Sequence, residues 1–262
     1  HLPAWLNEEH PKLHIVKHSD YIPKEYLPTF SSHPIELNLH RIGGLAEHFV
    51  YFNDDTFLAK AVSPDFFFKD GKPCDTCIET AVTQDDYANP FAHVLLNSSG
   101  VLNMHFSKKE TVRKNKSIWF HPCYGTAGLR NLLMYPYGQF SSFKFYHCPS
   151  PFLKETFRKV WEAEPEILSR ISANKFRSSF DVNQYLMKYW QFATGMITPV
   201  SPKRYGYYEM GKEDEKICRA IAGQTVSLFC MDDERVHDFE KSKTRIKDAF
   251  EKAFPEVSSF EK

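Results

Sequence analysis

The stretch from His48 to Phe57, HFVYFNDDTF, constrains this chain more than any other. Phe49, Val50, Tyr51 and Phe52 form a short apolar run of β-formers, the pattern of a buried strand. The run stops at Asn53, Asp54 and Asp55. Open α/β sheets bind their ligands at the carboxyl ends of strands. Two carboxylates and an amide in that position offer hard oxygen donors, which suit Mg²⁺ or Mn²⁺ and, through the metal, a diphosphate. Asn and Asp are also good turn formers, so the stretch alone leaves a solvated turn open. The same grammar returns near the C-terminus. Val226 to Cys230 reads as a second short buried strand, and it gives way to Asp232, Asp233 and Glu234.

With 42% apolar and 15% aromatic residues among 262, the chain can bury a sizeable core in one large domain or two small ones. Lys+Arg and Asp+Glu balance at 33 each, which leaves no global basic field for nucleic acid. No apolar run approaches the length of a membrane span, and no signal peptide opens the chain. Six cysteines in a chain of this length do not make a disulfide scaffold, so reduced thiols and a cytosolic compartment are expected. Cys74 and Cys77 form a lone CxxC. A structural zinc site needs about four such ligands, so these two read as ordinary thiols.

Along the chain, Leu13 to Val16 reads as a short strand that His18, Ser19 and Asp20 leave into a Pro-punctuated loop. His18 is a candidate ligand-binding residue, since His is versatile in loops. Ser32 and Pro34 make a good helix start. Ile35, Leu39 and Ile42 follow at helical spacing, and Gly43 and Gly44 end the helix. Glu36 and His40, four apart, share one face of it, with Arg41 beside them toward solvent. Glu36 reads either as a surface ion-pair partner or as a third carboxylate facing the metal site. Phe66, Phe67 and Phe68 are expected to line the core, and Asp85 to Pro90 to turn. The basic cluster from Lys108 to Lys116 reads as a solvated helix face. Pro151 to Trp161 and Glu164 to Asn174 read as helices, and Phe176 to Gly195 as the longest helix, with Arg177 and Asp181 sharing its N-terminal face. Thr198 to Tyr208 reads as a connector and Val236 to Phe254 as a closing amphipathic helix.

Phosphoryl transfer needs metal, cationic charge on the phosphate oxygens and a base or positioning group for an attacking hydroxyl. The sequence offers all three types. At this point it resembles the Stealth family of sugar-phosphate transferases, which includes bacterial capsule polymerases and the catalytic subunit of the lysosomal-enzyme GlcNAc-1-phosphotransferase. PAWLNEEHPKLHIVKHSDYIP, YLPTFSSHPIELNLHRIGGL and FVYFNDD are similar to the family's second block. HCP at 147–149 with KFRSSFDVNQYL at 175–186 is similar to its third, and LFCMDDE at 228–234 to its fourth.

The resemblance implies one catalytic domain over residues 1–262, with an α/β, Rossmann-like sheet as in nucleotide-sugar transferases. It implies that Asp54, Asp55 and Glu36 sit at a Mg²⁺ or Mn²⁺ ion and the diphosphate, joined by Asp232 and Asp233. Asp232 stands where the animal enzyme has Asn. It implies that His147, Arg177, Asp54 and Asp181 are catalytic, with His147 as general base and Arg177 steadying the phosphoryl group. Arg41, His40, Asn53, Lys154 and His18 complete the expected substrate-binding set. The implied donor is a UDP-linked sugar, the implied acceptor an oligosaccharide or polysaccharide, and the implied place the inner face of the membrane beside the capsule machinery. The family's first block, a strand with the pattern Asp-x-Val-Tyr-Thr-Trp-Val, is expected upstream of His1. Two rival readings stand beside this one: a metal-dependent glycosyltransferase that releases UDP, and a non-catalytic fragment that binds sugar phosphates.

Overall fold

The computed structural model describes residues 2–84, 90–234 and 236–262. Apart from Pro90, the turn expected over Asp85 to Pro90 lies outside the described residues. In chain order the strands are β1 His48–Tyr51, β2 Thr56–Leu58, β3 Phe68–Lys69, β4 Lys72–Asp75, β5 Ser150–Leu153, β6 Thr198–Pro199, β7 Tyr205–Glu209 and β8 Leu228–Asp232. The helices are α1 His18–Tyr21, α2 Ser32–Leu37, α3 Phe91–His105, α4 Lys108–Lys114, α5 Lys116–Trp119, α6 Leu129–Met134, α7 Lys154–Ala163, α8 Pro165–Ser172, α9 Gln184–Ala193, α10 Asp214–Gly223 and α11 Phe239–Ala253. The fold is mixed α/β. Among the described residues the strands form three small sheets, β1–β5, β2–β8–β7 and β3–β4–β6. Only β7–β8 and β4–β6 pair in parallel.

The larger core is built around α9, all of whose residues are buried. A helix enclosed on every side must satisfy its polar groups internally. Lys188 does so against Asp75 at 3.1 Å, and Gln191 accepts the Leu153 N–H at 3.0 Å, fastening β5 to the helix. Its Tyr189 and Phe192 pack in one cluster with Phe143, Phe152 and Phe157. A second, smaller cluster joins Phe229 of β8 to Ile217 and Ile221 of α10 and Ile246 of α11. β1 belongs to the first body of packing and β2 to the second. The Asn53–Asp55 turn between them therefore crosses from one to the other.

Several elements differ from their sequence reading. β1 is half-buried rather than buried, because it pairs only with β5 and packs one face, through Phe49, on Phe152 and Phe157. Residues 13–16 form no strand, with Ile15 41% exposed, and His18 begins a short helix instead of a loop. Ser150–Leu153 and Tyr205–Glu209, read as helix start and connector, are strands held by partners distant in sequence. Residues 176–183 are not helical. Phe176 and Phe180 are 68% and 74% exposed, so no buried stripe supports a helix there. Phe66, Phe67 and Phe68 are half-buried; Arg204 lies over the Phe66 ring at 3.3 Å. Lys108 is not solvated. It is buried and paired with Glu79 at 2.7 Å, the arrangement a buried charge requires. All six cysteines are free thiols.

Candidate active site

A cavity of about 900 Å³ opens between the two clusters. Its lining contains Glu36, Asn53, Asp54, Asp55, His147, Arg177, Asp232 and Asp233, residues that the sequence distributes over almost two hundred positions.

The turn after β1 is closed by Thr56, whose hydroxyl donates to the Asn53 carbonyl at 2.7 Å. Thr56 then enters β2 opposite Cys230, which sets the turn against β8. The Met231 N–H donates to the Asp55 carbonyl at 3.0 Å, and the Cys230 thiol donates to Asp55 Oδ2 at 3.4 Å. His147, in the loop before β5, brings Nε2 to 2.8 Å from the same Asp55 Oδ2 and 3.2 Å from Asn53 Nδ2. Nε2–H donating to Asp55 leaves the lone pair on Nδ1, the neutral form a general base requires. The other oxygen, Asp55 Oδ1, is buried with no hydrogen-bond partner among the described residues. An orphaned acceptor of this kind costs about 1–3 kcal/mol unless a cation or donor reaches it. Asp54, Asp232, Asp233 and Glu234 line the same cavity, so the donor set is mostly hard oxygen and fits Mg²⁺ or Mn²⁺. The Tyr207 hydroxyl donates to Asp232 Oδ2, across the parallel β7–β8 pair. Burial, reinforced by that carboxylate, raises the Tyr207 pKa.

Glu36 is 5% exposed. Ser31, not Ser32, caps its helix through the His33 N–H. Its carboxylate accepts from the Tyr51 hydroxyl at 3.3 Å and the Gln184 N–H at 3.4 Å. Burial pushes its pKa up, against the opposing influence of His33 and those hydrogen bonds. His40 does not share its surroundings. The helix breaks at Asn38 into a 3₁₀ turn, which turns the His40 ring to Phe157 and Trp161, with centroids 6.0 and 5.9 Å away. Burial and the nearby Arg41 charge lower the His40 pKa to about 4.

Arg177 lines the cavity from an exposed loop, and among the described residues it makes no ion pair. The expected pair with Asp181 is absent. Asp181 is fully buried and accepts instead from His33 Nδ1 at 2.8 Å, Asn174 Nδ2 at 2.8 Å and the Ser178 N–H at 2.9 Å. Burial alone would raise its pKa, but these bonds outweigh it and hold the carboxyl below its ordinary value. Asp181 is thus a positioning residue: it shapes the loop that carries Arg177 and orients His33, which does line the cavity.

Three expected substrate-binding residues lie elsewhere, as does His40. His18 is exposed on α1. Arg41 sits over Trp161 at 4.6 Å. Lys154 donates to the Ile42 and Leu45 carbonyls, fastening the Gly43–Gly44 bend. Sequence reasoning missed His33, Cys230, Tyr207 and the cavity face of α11, where Lys243 and Lys247 stand four apart. His33 and Cys230 fall inside the SSHP and LFCMDDE segments, and that was the available signal. For Tyr207 and α11 there was none short of the fold.

The model of the Stealth protein conserved region 2 matches residues 1–75, the part that carries His33, Glu36 and the Asn53–Asp55 turn. A capsular polysaccharide phosphotransferase, WcwK, of Streptococcus pneumoniae is 41% identical over 266 residues, covering 100% of this chain and 79% of its own length. The chain belongs to the Stealth family of phosphotransferases. A receptor polysaccharide phosphotransferase, WefC, of Streptococcus gordonii is 37% identical, with 99% of this chain and 78% of the relative covered. An exopolysaccharide phosphotransferase, cps2G, of Lactiplantibacillus plantarum is 33% identical over 100% of this chain and 77% of its own. In this Stealth enzyme the family region supplies His33, Glu36 and the Asn53–Asp55 turn to the cavity lining. His147, Arg177, Asp232 and Asp233, beyond that region, line the same cavity. No helix among the described residues is long and apolar enough to cross a membrane.

Proposed function

We propose that this Stealth enzyme moves a hexose-1-phosphate, of the N-acetylhexosamine class, from a UDP-linked sugar to a hydroxyl of an oligosaccharide or polysaccharide acceptor in a capsular or surface polymer. The acceptor oxygen attacks the β-phosphorus as its proton passes to His147. The bond to the UMP oxygen breaks, UMP leaves, and a phosphodiester joins the two sugars. The observation that carries this reading is the convergence on one cavity of the Asp55–His147 contact at 2.8 Å and an unpaired Arg177. One is a base with its orienting carboxylate; the other is a planar cation suited to phosphate oxygens.

Asp54, Asp55, Asp232 and Asp233 would hold Mg²⁺ or Mn²⁺, which supplies charge neutralisation for the diphosphate. Buried Glu36 stands behind them, tying α2 to Tyr51 and α9. Asn53 Nδ2 stands 3.2 Å from the His147 imidazole on the β1 side. The cavity, about 900 Å³, lies at the upper end of the range for small-molecule sites, in keeping with a donor as large as a nucleotide sugar. A Rossmann-like arrangement, as in nucleotide-sugar transferases, is supported by the parallel β7–β8 pair with Asp232 at its carboxyl end. We place the reaction in the cytoplasm, at the inner face of the membrane.

The test is a turnover assay with UDP-N-acetylhexosamines, a sugar acceptor and Mg²⁺ or Mn²⁺, resolving the nucleotide released. UMP together with a phosphodiester product supports the proposal, and EDTA should abolish turnover until metal is returned. Release of UDP would replace it with ordinary glycosyl transfer. Tight UDP-sugar binding without turnover would leave a binding module.

A further inference from the structure

Three side chains in the cavity differ in kind from the carboxylates around them. Asp55, His147 and Cys230 each offer one ligand atom, and the three atoms lie within 4.8 Å of one another. They come from three separate places in the chain: the turn after β1, the loop before β5, and β8. Alternation along β8 sends Phe229 into the second cluster and Cys230 to the opposite face, where its sulfur meets Asp55 at 3.4 Å. Asp55 Oδ2 and His147 Nε2 are 2.8 Å apart. In a tetrahedral Zn²⁺ site, metal–ligand bonds of about 2.0–2.3 Å place neighbouring ligand atoms roughly 3.3–3.8 Å apart. The Asp55–Cys230 distance of 3.4 Å already falls in this range, and the Asp55–His147 pair, at 2.8 Å, needs to open by about half an ångström to admit the ion.

The donor types decide which ion this is. Mg²⁺ takes oxygen ligands in near-octahedral geometry and gains nothing from a thiol. Thiolate, imidazole and carboxylate together suit Zn²⁺, and a set of three leaves a fourth position open. We propose that Asp55, His147 and Cys230 form a Zn²⁺ site that shares Asp55 with the oxygen-ligated Mg²⁺ or Mn²⁺ site and excludes occupation of it. On binding, the Cys230 thiol gives its proton to solvent and forms the S–Zn bond. His147 binds through the Nε2 lone pair, its single ring proton having moved from Nε2 to Nδ1. The binding is independent of the proposed reaction. That bound Zn²⁺ stops transfer rests on that reading, because the ion takes both the imidazole required as base and the carboxylate required by Mg²⁺.

Cobalt(II) is the probe, added to the reduced protein and followed by absorption. The expected result is one equivalent bound, with tetrahedral d–d bands and a near-ultraviolet thiolate-to-cobalt band. Equimolar Zn²⁺ should erase both features, and a large excess of Mg²⁺ should leave them. Cys230→Ser should lose the near-ultraviolet band. His147→Gln should weaken cobalt binding by at least about 100-fold, since even changes behind a ligand cost 10–100-fold. Circular dichroism checks that both variants fold, and Cys230→Ala provides a second thiol-free form. Absence of the near-ultraviolet band in the parent protein, or its survival in Cys230→Ser, overturns the site. In that event Mg²⁺-dependent UMP release would still stand by itself. With cobalt or Zn²⁺ bound and transfer unimpaired, the exclusion is overturned, and with it the role of His147 as base.

Discussion

Glu36 and Asp181 are both buried carboxylates, and they respond to pH in opposite directions. Asp181 has its pKa lowered by His33, Ser178 and Asn174 despite burial. Its contribution to stability is complete above the ordinary Asp value of about 4 and is lost as pH falls through the lower folded value. Asp181→Asn should therefore lower Tm at neutral pH, with the gap to the parent closing on acidification. Glu36 has its pKa raised, first by burial. The folded state then holds its proton more tightly than the unfolded chain, so ionised Glu36 opposes folding above the ordinary Glu value of about 4.3, and most strongly above the raised one. A Gln at position 36 can keep its oxygen on the Gln184 N–H and offer its amide to the Tyr51 hydroxyl, which can accept. Glu36→Gln should raise Tm at pH 7 by a few degrees while lowering turnover, a stability–activity trade-off. Thermal melts from pH 3 to 8 read both effects. A Glu36→Gln protein with a lower Tm at pH 7 would mean that the ionised carboxylate is fully compensated where it lies.

The loop from 173 to 183 brings Arg177 to the cavity. Phe176 and Phe180 are exposed, Phe176 stacking on the Phe30 ring at 5.5 Å. The loop is held by Asp181 from within, by Asn97, whose amide donates to the Ser179 and Asp181 carbonyls at 2.9 Å, and by the Phe30 N–H on the Lys175 carbonyl at 2.8 Å. Arg177 is thereby presented to the cavity with no ion-pair partner among the described residues, where the proposed reaction would bring phosphate oxygens. Arg177→Ala should lower kcat more than it raises KM, because a contact made in the transition state is lost. Arg177→Lys should recover little of this, since a point charge does not reproduce the planar fork. Steady-state kinetics beside a thermal melt is the check. A fall in Tm with kcat preserved would make Arg177 a structural residue.

At the scale of the whole molecule, the cavity exists because two packed bodies meet along the Asn53–Asp55 turn and β8. Phe229, fully buried, ties that seam together by stacking on Phe57 at 5.4 Å and on Phe250 of α11 at 6.3 Å. Phe229→Ala should cost about 3–5 kcal/mol by denaturant unfolding, and the residual folded enzyme should transfer poorly, because Asp55, Asp232 and α11 all take their positions from this packing. Stability within 1 kcal/mol of the parent would show that the second cluster does not depend on this ring. What the sequence determined by itself was local chemistry. An apolar run ending in Asn53-Asp54-Asp55 declares both a strand and a donor set, and HCP, KFRSSFD and LFCMDDE carry the family resemblance in their residue order. Only the tertiary structure decided which of the candidates meet. His40 and Glu36, four apart, part company at Asn38, because a helix face continues only while the backbone does. Arg177 and Asp181, also four apart, are not on a helix, because burial of Asp181 against His33 outweighs weak local propensity. β5 and β7 were invisible because strands of four or five residues draw their stability from partners far along the chain. Cys230 and His147 become neighbours of Asp55 only once β8 pairs with β2 and the loop before β5 closes over them, contacts between distant segments that no local spacing encodes.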